Sequence, residues 1–154
     1  MFRIEALPAR GFAPYFEMTD DALAEAGGSR IVADAHPGYP CRVSLEDARV
    51  GERLILVNHR HLVARSPYAA SHAVYVREGA VEAVPEPGAV PAMLLSRLLS
   101  LRAFDARAFM READVIEGRD VAARLEAMLA NEAIAFVDVH FAKPGCFAAR
   151  ARRA

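Results

Sequence analysis

The 154-residue sequence contains one lysine against 18 arginines, no tryptophan and only two cysteines. Arginine in such excess, beside so much alanine, reads as the codon bias of a GC-rich genome, so the arginine count alone argues for no particular ligand. The two cysteines, Cys41 and Cys146, lie far apart, and no Cys-x-x-Cys is present to suggest a zinc ribbon or a thioredoxin-like site. No apolar run approaches the roughly 20 residues needed to cross a bilayer, so no membrane association is expected. Residues 1–7 carry charge within their apolar run and lack a small-residue cleavage site, unlike a signal peptide. The expectation is a cytoplasmic protein whose cysteines are thiols by default, with a Cys41–Cys146 disulfide left open. A formal net charge of -1 supplies no broad basic field, and the basic run at 150–153 is short, so no nucleic-acid partner is expected. Phosphate loops of the Gly-x-x-x-x-Gly-Lys kind, Gly-x-Gly-x-x-Gly turns, His-Glu-x-x-His helices and Gly-x-Ser-x-Gly elbows are all missing.

What is there suits a folded domain: 54% hydrophobic and 25% charged residues, in a chain long enough to bury roughly 70% of its unfolded surface. A single globular domain over 1–154 is expected. Alternation predicts strands over 2–7, 29–33, 53–61 and 72–77. Thr19, followed by Asp20 and Asp21, predicts the start of a short helix that Gly27 and Gly28 end. Pro91 in a first turn, with Met93, Leu94 and Leu98 on one side, predicts a helix over 91–99. A hairpin is expected between 99–104 and 109–116. Val121, Leu125, Met128 and Leu129 form a helical stripe, and a strand over 134–141 precedes a Pro144-Gly145 bend and an antiparallel return over 146–152. The fold class is α+β, a mixed and mostly antiparallel sheet of six to nine strands with about three short helices.

Chemistry concentrates in two segments that share ingredients. Residues 140–150 hold His140, Lys143, Cys146 and Arg150 around a Pro-Gly bend, and residues 37–42 hold another Pro-Gly, then Cys41 and Arg42. The reading places these segments side by side around a pocket for a small anionic ligand. Arg42, Arg102, Lys143 and Arg150 supply charge, and Tyr68 supplies a hydroxyl. The bland alternative pairs each arginine with a nearby acid, Arg102 with Asp105 for instance. An enzyme is the rival: cations beside a thiol favour the thiolate, so Cys146 or Cys41, with His140 as base, are the candidate catalytic residues. Asp138 shares a strand face with His140 and is expected to orient it. His59 and His61, two apart on a strand, are weak metal-ligand candidates with His140, His72 or a cysteine as third donor; the reading adopted assigns no metal and leaves any cofactor unknown. A structural or interaction domain without chemistry is the remaining alternative, and self-association as a homodimer is compatible with all three.

Several pieces together resemble the bacterial domain of unknown function 1203 family. They are Pro37-Gly38-Tyr39-Pro40-Cys41-Arg42-Val43-Ser44-Leu45, Gly51-Glu52, Ser66-Pro67-Tyr68, Leu101-Arg102-Ala103-Phe104-Asp105 and His140-Phe141-Ala142-Lys143-Pro144-Gly145-Cys146. The resemblance covers essentially the whole chain. It implies a stand-alone bacterial domain, with Cys41, Arg42, Tyr68, Arg102, Lys143 and Cys146 on motif positions and His59 outside them, and it implies no activity, cofactor or partner.

Overall fold

A computed structural model describes residues 1–154. Strand β1 (Phe2–Glu5) buries Phe2 and Ile4 and exposes Arg3 and Glu5, as a half-buried strand must. It ends two residues earlier than its alternation suggests, and the Leu7 amide then donates to the Arg42 carbonyl at 2.9 Å. Helix α1 (Ala13–Glu17) has no counterpart in the sequence reading; it is one short turn with proline near its start and no buried residue. Helix α2 (Asp20–Glu25) begins where expected. The Thr19 hydroxyl accepts from the Ala22 amide at 3.2 Å, and Gly27, at φ 78°, takes the left-handed conformation that ends the helix.

Strands β2 (Ser29–Val32), β3 (Arg53–Leu62) and β4 (Ala70–Arg77) form one sheet in that order. Strands β5 (Leu98–Phe104), β6 (Met110–Glu117), β7 (Phe136–Phe141) and β8 (Phe147–Arg153) join β1 in a second sheet of order β1-β8-β7-β5-β6. Every strand pair is antiparallel. The α+β class and the number of strands agree with expectation, and the strands divide between two sheets.

Helix α3 (Ala92–Leu95) is shorter than the expected 91–99. From Leu98 the period-two pattern takes over, with Leu99, Leu101 and Ala103 buried while Leu98, Ser100 and Arg102 stay half-exposed. The strand prevails because its apolar face meets helix α4 (Val121–Ala130), which buries Val121, Leu125, Met128 and Leu129 against the larger sheet. Each large apolar side chain buried there contributes about 1.5–3 kcal/mol relative to exposure.

The other face of that sheet is polar. Antiparallel register aligns Arg102, Asp138 and Arg150 on one rung, and Ser100, His140 and Phe147 on another. A bulge between Val139 and His140 brings Phe147 and Arg150, three residues apart, onto the same face. The end of β3 lies over this face, where the His61 ring stacks on Phe147 with centroids 4.4 Å apart. A separate apolar cluster, including Phe12, Leu23, Cys41, Val57 and Val74, packs the smaller sheet against the N-terminal helices and the 41–43 segment. No helix is long and apolar enough to cross a membrane.

Candidate functional site

Arg42 is fully buried, an unusual place for a guanidinium. Its Nε donates to the Phe147 carbonyl at 2.8 Å, Nη1 to the Pro40 carbonyl at 2.6 Å and Nη2 to Cys146 Sγ at 3.0 Å. The fork thus joins the 37–42 segment to the start of β8, and its Cζ sits 5.0 Å over the Phe141 ring. Burial pushes the guanidinium below its ordinary pKa, and the neighbouring Cys146 and Cys41 sulfurs work in the opposite direction. None of its three hydrogen bonds goes to a carboxylate.

Both cysteines are free thiols. Cys41 is fully buried, and its sulfur accepts from the Ser44 and Arg77 amides at 3.4 and 3.3 Å. Cys146 is half-buried and forms part of the wall of a cleft of about 660 Å³. Gly38, Pro40 and Arg42 form one side of that cleft; Phe141, Lys143 and Cys146 belong to the facing segment. Arg97 and Glu117, absent from the sequence-based candidates, also line it. Arg97 makes a two-pronged ion pair with Asp47 at 2.6 and 2.8 Å. Its only sequence signal was its place just after a short helix, which does not point to a residue 50 positions away. Lys143 is exposed and belongs to no ion pair or hydrogen bond.

Three expected ligand contacts lie elsewhere. Arg150 points to the polar face of the larger sheet, where Nε meets Asp138 Oδ1 at 2.6 Å and Nη2 meets Oδ2 at 3.0 Å. Arg102 occupies the same rung as Asp138 and, in place of the anticipated Arg102 pairing, Asp105 takes Arg111 at 2.6 Å. Tyr68 is 39% exposed, packs edge-on against Phe104 and Phe109, and is not part of the cleft wall.

The polar face gathers three of the five histidines. His61 Nε2 is 2.8 Å from His72 Nδ1, and its own Nδ1 is 3.3 Å from Asp138 Oδ2. His140 Nδ1 lies 3.0 Å from the Gly145 carbonyl. Asp138 therefore meets His61 and Arg150, and the expectation that it orients His140 is corrected: the bend carbonyl does so. The bulge between Val139 and His140 sets Arg150 opposite Asp138, a register that residue spacing does not reveal, and nothing local in the sequence brings His61, on the other sheet, to the same carboxylate. His59 packs against Phe12 with centroids 5.2 Å apart. One donor atom each from His61, Asp138 and His140 lies within 4.8 Å of the other two.

Burial pushes His140 down to about 3, and the nearby Arg102 charge adds to the effect. Burial likewise lowers His72, with His61 and Arg102 contributing. For Asp138, burial alone would raise the pKa, but the contacts with His61 and Arg150 outweigh it and hold the carboxyl below its usual value. The face therefore carries neutral His140 and His72 beside an ionised, arginine-bound carboxylate at neutral pH.

A family model described as "Protein of unknown function (DUF1203)" matches residues 38–153, and the chain belongs to that family. No curated protein and no solved structure matches the chain.

Proposed function

We propose that this family member binds a small anionic molecule in the cleft between residues 37–42 and 140–150. One observation carries the reading: Arg42, Arg97 and Lys143 line the same cleft, against a single acid, Glu117. Lys143 makes no ion pair and would meet the charge directly. Arg42 keeps two of its five N–H groups free after its three hydrogen bonds, enough to reach an acceptor on the cleft side. Arg97, committed to Asp47, would contribute field more than contact. Tyr68, Arg102 and Arg150 drop out of the binding set. The reading takes the protein to be a cytoplasmic bacterial domain, in keeping with its composition and family resemblance.

Thermal unfolding with inorganic phosphate and with a series of small carboxylates tests this reading. A ligand at a hundred times its Kd stabilises the native state by about 2.7 kcal/mol, a readily measured rise in midpoint. The rise should disappear in Lys143→Glu and survive in Arg107→Ala, on another surface. A rise that Lys143→Glu leaves intact would sink the proposal.

A second reading, an enzyme with Cys146 as nucleophile, is favoured by the Arg42–Cys146 contact and by the half-exposure of Cys146 on the cleft wall. Cys41, buried and tied to two amides, is the weaker candidate, and the Gly145 carbonyl already occupies the Nδ1 of His140. Iodoacetamide should label Cys146 before Cys41, and Arg42→Met should slow that labelling. Equal labelling of the two, or no slowing, would remove this reading.

A further inference from the structure

His61 carries an anomaly. Its side chain is 2% exposed, yet its Nδ1 has no well-aligned hydrogen-bond partner, although Asp138 Oδ2 is only 3.3 Å away. A neutral imidazole has one N–H and one lone pair. The 2.8 Å contact with His72 uses His61 Nε2, so two tautomers are open. If Nε2 donates to His72, Nδ1 is a bare lone pair facing a carboxylate oxygen, an arrangement that a cation between them would make favourable. If His72 donates instead, the Nδ1 hydrogen points off the line to Oδ2 and remains poorly satisfied.

The neighbours supply the rest of a donor set. A carbonyl only accepts, so His140 Nδ1 carries the hydrogen that meets Gly145, and its Nε2 is left with the lone pair. Asp138 is held by the Arg150 fork. Histidine anchored on a carbonyl and a carboxylate fixed by a second hydrogen-bonding group are the outer contacts that orient metal ligands.

We propose that His61, Asp138 and His140 form a site for one divalent transition-metal ion. Two imidazoles and one carboxylate suit zinc, iron, cobalt or nickel better than magnesium or calcium, which favour all-oxygen sets. Ligand bonds of roughly 2.0–2.2 Å place donors about 3–4 Å apart; His61 Nδ1 and Asp138 Oδ2 already stand at 3.3 Å, and the three residues each offer a donor atom within 4.8 Å of the others. Arg102 makes no ion pair, and its charge opposes the cation; an anion at the remaining coordination positions, hydroxide included, would offset it. His72 positions His61 through the Nε2 contact and is not itself a ligand.

Cobalt(II) provides the test. The full chain, stripped with a chelator and titrated with cobalt(II), should take up one ion and show hyperfine-shifted imidazole protons from two histidines, assigned as His61 and His140. His61→Gln and His140→Gln should each weaken binding at least about tenfold, while His59→Gln and Cys146→Ser should not. The imidazole shifts are read on the wild-type chain, so they decide the matter even where a variant fails to fold. Absence of saturable binding, the largest shifts on histidines other than His61 and His140, or equal weakening by His59→Gln would overturn the proposal.

Discussion

The Arg42 guanidinium donates to Cys146 Sγ at 3.0 Å across 104 residues of chain, and the same fork holds the carbonyls of Pro40 and Phe147. Three bonds from one buried cation make it a structural tie as well as a wall of the cleft. Arg42→Met should cost about 3 kcal/mol, since three acceptors lose a charged donor and at least one carbonyl stays dry. Arg42→Lys should rescue little, because an ammonium on a flexible stem does not reproduce a planar fork. Urea unfolding monitored by circular dichroism measures both; a loss under 1 kcal/mol for the methionine variant would contradict the argument.

Asp138 and Arg150 form the second buried tie, with the carboxylate fully enclosed. Arg150→Met should destabilise by about 3–5 kcal/mol, because an unpaired charge would remain in the interior. The double variant Asp138→Asn with Arg150→Met should lose less than the sum of the single losses. A denaturant double-mutant cycle reads this coupling directly, and strict additivity would show that the pair is not one unit.

Gly118 is tightly enclosed. A Cβ built there would lie 2.0 Å from the Leu94 carbonyl oxygen and 2.7 Å from those of Leu95 and Arg97. These are backbone atoms at the junction of α3 and β5, and they move only if the junction moves. Gly118→Ala should therefore cost about 2 kcal/mol or more despite the smallness of the change. A melting midpoint equal to wild type would mean that the junction relaxes freely.

In the β5–β6 turn, Asp105 Oδ1 accepts from the Arg107 and Phe109 amides at 2.9 and 3.0 Å, and Ala108 sits at φ 60°. Those amide bonds, led by Phe109 and joined by Arg111, hold the Asp105 carboxyl below its usual pKa. A depressed folded-state value means that this stabilisation is complete above the ordinary value near 3.8 and fades as pH falls through the folded one. Asp105→Asn should lower the melting midpoint at pH 7, and the gap to wild type should narrow once the wild-type carboxyl is protonated. A gap independent of pH would show that charge plays no part in the turn.

The periodic elements were legible in the sequence, and the reasons are local. Thr19 capped the helix it was expected to cap, the stripe from Val121 to Leu129 met a sheet, and the 99–104 and 109–116 segments paired. The helix expected over 91–99 failed because residues 98–104 satisfy either period until a partner is known. Arg42 and Lys143 were legible as ingredients because they sit in the two Pro-Gly segments, but Arg97 and Glu117 enter the cleft through long-range packing. Arg150 went elsewhere because the register across the 144–145 bend sets it opposite Asp138, a consequence of a bulge that residue spacing alone does not reveal.

The β1–β8 pairing has a mechanical consequence. Phe2 lies opposite Arg153, and the Ala154 amide reaches the Met1 carbonyl at 3.2 Å, so both ends of the described chain leave the same edge of the larger sheet side by side. Tension applied between them loads the outermost rung first and opens the ladder one bond at a time, as a zipper opens. A shear geometry would load all the rungs together. The fold should resist heat through its core yet yield at low force when stretched by its ends.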